Sequence, residues 1–368
     1  MRISVLTSSR ADYGIYYPLL KQFQSDPYFD LNIIVFGTHL SKDYGFTLQN
    51  IIDDKFYVGY KVETLTAGDT AQDIAKSMAL TMHKFGDIWE QENDKTDLIL
   101  CLGDRYEMFA AVSASVPFNI PVAHIHGGEV TLGAIDNVFR HSLTLMSKYH
   151  FTSTTNHLEK VQNMIGQKDN VYSVGSLSLD NLHEIKLLNL AEFKLKFNID
   201  LSKKTLLVTF HPETVSFQEN ADYVKELVEV FKTIEGFQVL ITMPNSDTMG
   251  SVIRKAFKEL DKESDYVIIV ENFGLHGYFS AMKHCKFLLG NTSSGIIEAA
   301  SFNKYVINIG NRQKGRTAGG NIIDVHIQKE AILRKIEHVD KLGEYTGINI
   351  YKGQKLASSQ ILKTLRNI

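Results

Sequence analysis

Acidic and imidazole side chains crowd into two short stretches of the first half of the sequence. GDRYE places Asp104 and Arg105 directly after an apolar run, and AHIHGGEVTLGAIDNVFRH follows soon after it. The second stretch holds His124, His126, Glu129, Asp136, Arg140 and His141. Carboxylates and histidines at this density can act as general acids and bases, and Asp136 and Arg140 lie one helical turn apart, so a carboxylate could pair with the guanidinium.

The same side chains also allow a metal site. His124 and His126, with Asp104 and Glu129, include groups that ligate hard metal ions. On a strand, however, residues 124 and 126 point to one face and could simply pack there. No HExxH or cysteine pattern supports a metal site, so we expect neither a metal nor a cofactor.

The second half carries a run of small polar residues in GNTSSGIIEA, at positions 291–295. The run ends an apolar segment and opens a helical one, so backbone N–H groups, the hydroxyls of Ser293 and Ser294 and the helix dipole converge there, with Gly295 beside them. Helix capping explains one such residue but hardly the whole run. An anionic ligand fits this point. Glu298, one turn on, could accept hydrogen bonds from ribose or merely favour the helix start.

Further polar loops follow other apolar runs. SRADYG puts Arg10 at a turn into a helix, where it could hold a phosphate or simply be solvated beside a helix cap. FHPET supplies His211, PNSD covers 244–247, and NRQKGR covers 311–316 with two arginines and a lysine. Together with the serine run, these loops indicate that the second half binds a nucleotide diphosphate.

Buried strands must position these loops. Apolar runs of four to eight residues, such as DLILCLGD and TLLVTFHP, alternate with helix-length segments, which predicts parallel sheets covered on both faces. The pattern lapses between residues 182 and 204. We therefore expect an α/β protein of two Rossmann-like doubly wound domains that face each other across a cleft, over 1–182 and 205–345, with a final helix in 346–368.

Composition limits the class of protein. The 368 residues suit about two domains, and 39 basic against 42 acidic residues leave a net charge of −3, so nothing favours a nucleic-acid or membrane partner. The two cysteines sit in apolar runs, which disfavours a disulfide framework. No signal-peptide pattern or long apolar stretch appears, so we expect a cytoplasmic protein.

These motifs, taken in order, resemble the hydrolysing UDP-N-acetylglucosamine 2-epimerases of bacterial sialic acid biosynthesis. The resemblance runs over essentially the whole chain through SRADYG, GDRYEM, HIHGGEVT, RHSLT, YHFTST, VGS, FHPET, GNTSSGIIEA and NIGNRQKGR. It implies the GT-B arrangement, UDP held mainly by the C-terminal domain, and conversion of UDP-N-acetylglucosamine and water to N-acetylmannosamine and UDP through 2-acetamidoglucal. It also suggests a homodimer or homotetramer.

The resemblance also implies roles for individual residues. Asp104 and Asp136 match proton-transferring carboxylates, and Glu298 matches a ribose-contacting acid. The other substrate-binding candidates are Arg10, Arg105, Arg140, His211, Asn245, Asp247, Ser293, Ser294, Gly295 and Arg312. Some relatives read HIEGGE where this chain reads HIHGGE, so either His126 or Glu129 could be an acid/base group here.

Other functions stay open. A relative could act on UDP-2,4-diacetamido-2,4,6-trideoxyglucose, differing only in the pocket for sugar C4 and C6. A non-hydrolysing epimerase is disfavoured by GDRYE and HIHGGE. Outside the family, a retaining GT-B glycosyltransferase would need an acceptor sugar to release UDP, and a nucleotide-sugar sensor would bind UDP without turnover.

Overall fold

The chain forms two compact units, each built on one parallel β-sheet. The computed structural model describes residues 1–215, 217–244 and 250–368. The first unit comprises Met1–Glu129, Asp136–Glu184 and Tyr351–Ile368, and the second comprises Val130–Ile135 and Ile185–Ile350. The chain therefore enters the second unit twice, and its last helix belongs to the first unit.

The first unit alternates strands and helices along the chain. Its strands are β1 Arg2–Thr7, β2 Asp30–Phe36, β3 Val58–Val62, β4 Leu98–Leu102, β5 Val122–Ile125, β6 Tyr149–Thr152 and β7 Val171–Ser173. Its helices are α1 Arg10–Ser25, α2 Leu48–Asp53, α3 Ala71–Glu92, α4 Tyr106–Ser113, α5 Asp136–Met146, α6 Thr155–Ile165, α7 Asn181–Glu184 and the C-terminal α14 Ala357–Leu365.

The second unit repeats this plan. Its strands are β8 Thr205–Thr209, β9 Gln238–Thr242, β10 Val267–Val270, β11 Phe287–Gly290, β12 Val306–Ile309 and β13 Ile322–Val325. Its helices are α8 Leu190–Phe197, α9 Asn220–Thr233, α10 Gly250–Glu263, α11 Gly274–His284, α12 Ser293–Ile297 and α13 Lys329–Lys341. Within the described ranges, no helix is both long and apolar enough to cross a lipid bilayer.

Both sheets have the doubly wound strand order. The first runs β3-β2-β1-β4-β5-β6-β7 and the second β10-β9-β8-β11-β12-β13, with every pairing parallel. In each sheet the order reverses between the first and fourth strands, at β1/β4 and at β8/β11. In such sheets ligands bind beyond the carboxyl ends of the strands near this reversal.

Each sheet has an apolar core on both faces, which explains its unbroken apolar strands. In β8, Leu206 and Val208 join one buried cluster while Leu207 joins the other, because alternate side chains of a strand point to opposite faces. The same alternation in β1 sends Val5 to one cluster and Leu6 to the other. The α/β class with two parallel sheets is confirmed.

Candidate active site

A buried arginine joins two acids in the first unit. Arg140, on α5, donates from Nη1 to Glu129 Oε2 at 3.1 Å, and its Nη2 is paired with Asp104. Glu129 and Arg140 are almost wholly buried, whereas the Asp104 side chain keeps 24% of its exposure. Asp104 follows β4 and Glu129 follows β5, so neighbouring strands of one sheet bring both acids to the same arginine.

The other oxygen of Glu129 meets a second polar pair. Ser153 Oγ, just beyond β6, donates to Glu129 Oε1 at 2.8 Å and lies 3.0 Å from His157 Nδ1. His126 Nδ1 lies 4.0 Å from the same carboxylate oxygen. The backbone of His126 has a φ of +66°, a left-handed conformation that is uncommon for residues other than glycine and often marks a functional position.

His124 has a structural role beside this cluster. Its Nε2 donates to the Gly103 carbonyl at 2.8 Å, and its Nδ1 lies 3.2 Å from Thr144 Oγ1 on α5. Burial lowers the pKa of His124 to about 3, so the ring is neutral at pH 7. His124 lies in β5 but His126 lies beyond it, so the two do not share a strand face. Among the described residues, no three His, Cys, Asp or Glu side chains are grouped to hold a metal ion.

In the second unit, an amide joins the loops at the sheet reversal. Asn291 Oδ1 accepts from the His211 N–H at 2.7 Å, and Asn291 Nδ2 donates to the His211 carbonyl at 2.8 Å. Gln313 Nε2 donates to the Asn291 carbonyl at 2.7 Å. The loops after β8, β11 and β12 are thereby fixed to one another at the carboxyl edge of the second sheet.

Glu213 holds the arginine-bearing loop. Its Oε1 accepts from the Asn311 N–H at 2.5 Å, directly before Arg312, which is half-buried. Burial raises the pKa of Glu213, partly offset by backbone hydrogen bonds from this loop. Residues 130–135 lie against the same loops, since the N–H of Ile135 donates to Thr214 Oγ1 and that of Leu132 to the Lys314 carbonyl, both at 2.9 Å.

The serine run opens the short helix α12, as its sequence predicts. Thr292 is the N-cap, and its hydroxyl accepts from the Ser294 N–H at 3.4 Å. Ser293 is exposed and Ser294 half-buried, whereas Glu298 is buried at the end of the helix. A Cβ at Gly295 would lie 3.1 Å from a Val306 methyl carbon, so the backbone there packs closely on β12.

Three further candidates of the first unit lie at or directly before the start of a helix. Arg10 begins α1, whose N-cap is Ser9, and is half-buried. Arg105 forms a salt bridge to the buried Glu107, with Nη2 2.9 Å from Oε1. Asp136 is the first residue of α5.

Two candidates, Asn245 and Asp247, lie outside the described residues.

Sequence reasoning missed four contributors to these clusters: Ser153, His157, Asn291 and Glu213. Asn291 stood within the serine run and Glu213 within FHPET, so the position after a buried strand was the signal that could have found them. Ser153 stood in YHFTST in the same way. His157 carried no such signal, because it lies within the first turn of α6.

Comparisons with known proteins identify relatives over nearly the whole chain. The sequence profile described as UDP-N-acetylglucosamine 2-epimerase matches residues 21–366. The polysialic acid biosynthesis protein P7 of Escherichia coli is 36% identical, over 97% of this chain and 88% of its own. A hydrolysing UDP-N,N′-diacetylbacillosamine 2-epimerase of Legionella pneumophila is 32% identical, over 99% and 96%.

A solved structure shares the fold. The UDP-N-acetylglucosamine 2-epimerase of Neisseria meningitidis, bound to UDP-N-acetylglucosamine, superposes with a TM-score of 0.83 over 100% of both chains at 18% identity. This likeness confirms the GT-B-like α/β fold that the motifs implied. With the family profile and the two relatives, it confirms the resemblance as well: the chain belongs to the UDP-N-acetylglucosamine 2-epimerase family.

Proposed function

We propose that the chain is a hydrolysing 2-epimerase that converts UDP-N-acetylglucosamine and water to N-acetylmannosamine and UDP. The observation that carries this proposal is the buried Arg140 between Asp104 and Glu129, with His126 near the Glu129 carboxylate. The reaction needs a positioned base at sugar C2, where the proton is not acidic, and such a base must be held firmly. A guanidinium between two carboxylates holds both.

The proposed reaction has two steps. In the first, a carboxylate takes the proton from C2 while the C1–O bond breaks, which leaves 2-acetamidoglucal and UDP. In the second, water adds its hydroxyl to C1 and a proton is returned to C2 on the opposite face. We assign these proton transfers to the group Asp104, His126, Glu129 and Asp136.

The leaving group gains negative charge in the first step, so donors for the diphosphate must accompany the acids. We assign this role to the loops of the second unit that the Asn291 amide holds together, with His211, Ser293 and Ser294 as the contacts. Glu298 and Arg312 are the proposed contacts nearer the nucleoside. Arg10, Arg105, Arg140 and Gly295 complete the proposed set, as do Asn245 and Asp247.

The Legionella relative supports a second candidate substrate. It is a hydrolysing 2-epimerase of UDP-N,N′-diacetylbacillosamine and is 32% identical over nearly the whole chain. This compound is a 2,4-diacetamido-2,4,6-trideoxy sugar nucleotide. Its reacting atoms at C1 and C2 are the same, so the acids proposed above serve either substrate, and the choice rests on the pocket for C4 and C6.

The test is incubation of the protein with each nucleotide sugar in heavy water, followed by proton NMR. We expect UDP release without any acceptor sugar, N-acetylmannosamine as the product, and deuterium at C2. Release only from the trideoxy substrate would replace the first sugar with the second. Release that requires an acceptor would indicate a glycosyltransferase, and UDP binding without turnover would indicate a sensor.

Single variants separate the two roles. Asp104→Asn should abolish turnover while UDP affinity stays near that of the wild type, whereas His211→Ala should weaken UDP binding in calorimetry. Asp87→Asn is the matched control, because Asp87 is an exposed carboxylate on α3. A large affinity loss in Asp104→Asn would place Asp104 in binding, and an unchanged dissociation constant would remove His211 from the phosphate site.

The proposal extends to assembly and location. We propose a cytoplasmic homodimer or homotetramer, which light scattering of the purified protein and fractionation of the cells that make it would test.

A further inference from the structure

The carboxylate of Glu129 is held from two directions. Arg140 donates to Oε2 at 3.1 Å, and Ser153 donates to Oε1 at 2.8 Å. The side chain of Glu129 is wholly buried, and Ser153 is 2% exposed. A carboxylate bonded at both oxygens in this setting cannot turn without losing a hydrogen bond that no bulk water replaces.

The direction of the hydrogen bonds behind Ser153 follows from its single proton. Because the hydroxyl proton is donated to a carboxylate, which only accepts, the Ser153 oxygen must accept from His157 Nδ1 at 3.0 Å. His157 is therefore protonated at Nδ1. The backbone N–H of His157 donates to Thr154 Oγ1 at 3.2 Å, which fixes the residue in the first turn of α6.

A close backbone approach brings Glu129 to this helix. Gly128 has a φ of +79°, and a Cβ added there would lie 2.4 Å from the His157 carbonyl oxygen. Only glycine combines this conformation with this contact. The residue before Glu129 is thus packed directly on the turn that carries His157.

We propose, on the basis of the function proposed above, that Ser153 and His157 are positioning residues that keep Glu129 oriented and ionised for proton transfer. Hydrogen bonds donated to a carboxylate favour its charged form. The charged and titratable groups around Glu129 are Arg140 on α5, Asp104 through that arginine, His126 after β5 and His157 on α6. In this proposal neither Ser153 nor His157 contacts the substrate.

The first test is the pH dependence of turnover in Ser153→Ala and His157→Ala. Ser153→Ala removes the donor to Glu129 Oε1, and His157→Ala removes the donor to Ser153. In both variants the ionised form of Glu129 is less stabilised, so its protonation becomes easier. We expect kcat to fall by about tenfold, KM to stay unchanged, and the limb of the kcat profile that belongs to Glu129 to move to higher pH.

Two variants serve as controls. His157→Asn retains an N–H donor near the position of Nδ1 and should restore most of kcat and the wild-type profile. Ser115→Ala removes another buried hydroxyl, which donates to the Val112 carbonyl at 2.8 Å. It should alter stability without moving the pH profile.

A second readout does not need activity. Carbon-13 NMR of labelled glutamate carboxyls, with the Glu129 signal assigned by its loss in Glu129→Gln, gives the titration midpoint directly. We expect Ser153→Ala to move it to higher pH; should that variant not fold, His157→Ala takes its place. An unmoved midpoint and profile in a folded variant would overturn the positioning role alone. If the wild type releases UDP from neither nucleotide sugar, the proposed function fails, and the NMR titration still decides on Ser153 and His157.

Discussion

Replacing Arg140 by methionine tests how the buried acids are held. Arg140→Met keeps a side chain of similar length but removes the guanidinium that joins Glu129 and Asp104. Glu129 is fully buried, so its ionised carboxylate would lose its ionic partner with no solvent to replace it. Removing one partner of a buried ion pair costs about 3–5 kcal/mol of unfolding free energy. The Asp104 side chain is 24% exposed, so solvent screens its pairing with Arg140. Loss of that pairing should therefore lower the unfolding free energy by only about 0–1 kcal/mol.

A double-mutant cycle isolates this pair. Glu129→Gln alone leaves Arg140 buried with Asp104, and the double variant with Arg140→Met removes both charges while the glutamine amide can still accept from Ser153. Denaturant unfolding at pH 7 measures the loss of unfolding free energy in each variant. We expect the sum of the two single-variant losses to exceed the loss in the double variant by about 1–3 kcal/mol.

The loss of stability in Arg140→Met should depend on pH. The guanidinium stabilises the ionised carboxylate, so its contribution is present at higher pH and fades as the carboxylate protonates. The penalty of Arg140→Met should therefore be smaller at pH 5 than at pH 7. If the losses simply add and the penalty is the same at both pH values, the buried ion pair is not what stabilises this cluster.

Three further predictions concern other parts of the molecule. Asn291→Ala should weaken UDP binding by about tenfold or more in calorimetry, since the loops after β8 and β11 lose two hydrogen bonds; an unchanged affinity contradicts this. Gly128→Ala should lower the free energy of unfolding by about 1–3 kcal/mol more than Gly103→Ala does, because Gly103 has a similar φ of +77° but open space around it. Equal losses in the two variants would contradict a destabilising contact at Gly128. Burial lowers the pKa of His150 from 6.5 to about 4, so the unfolded state takes up the proton first and stability falls as pH drops from 6.5 toward 4. His150→Phe should reduce the loss of unfolding free energy between pH 7 and pH 5, and an identical loss would show that His150 does not contribute to it.

The sequence predicted the strands best where both faces are covered. Runs such as LILCL and TLLVT are apolar throughout because the cores on both sides of each sheet require it, and both became central strands. Strand β13 carries a weaker signal in the sequence, because its side chains are only partly buried or exposed and no unbroken apolar run marks it. Strand β6 also lacks an unbroken apolar run, because His150 and Thr152 alternate with its aromatic residues.

The candidate site was predictable residue by residue but not pair by pair. Position after a strand singled out Asp104 and Glu129, and spacing placed Arg140 on a helix face. One guanidinium binds both acids because of the order of the strands: β4 and β5 are adjacent in the sheet, and α5 packs beside β5. The left-handed backbone of His126 has no signature in the sequence, because no glycine stands at that position to mark it.

The return of the last helix to the first unit has a consequence for biosynthesis. The core of that unit contains Ile3 near one end of the sequence and Leu365 near the other, and both oxygens of Asp180 accept N–H groups from the start of α14. While a ribosome is still translating the second unit, the first therefore lacks part of its interior. A nascent chain halted before residue 357 would leave an apolar surface uncovered on its first half, where chaperones would bind.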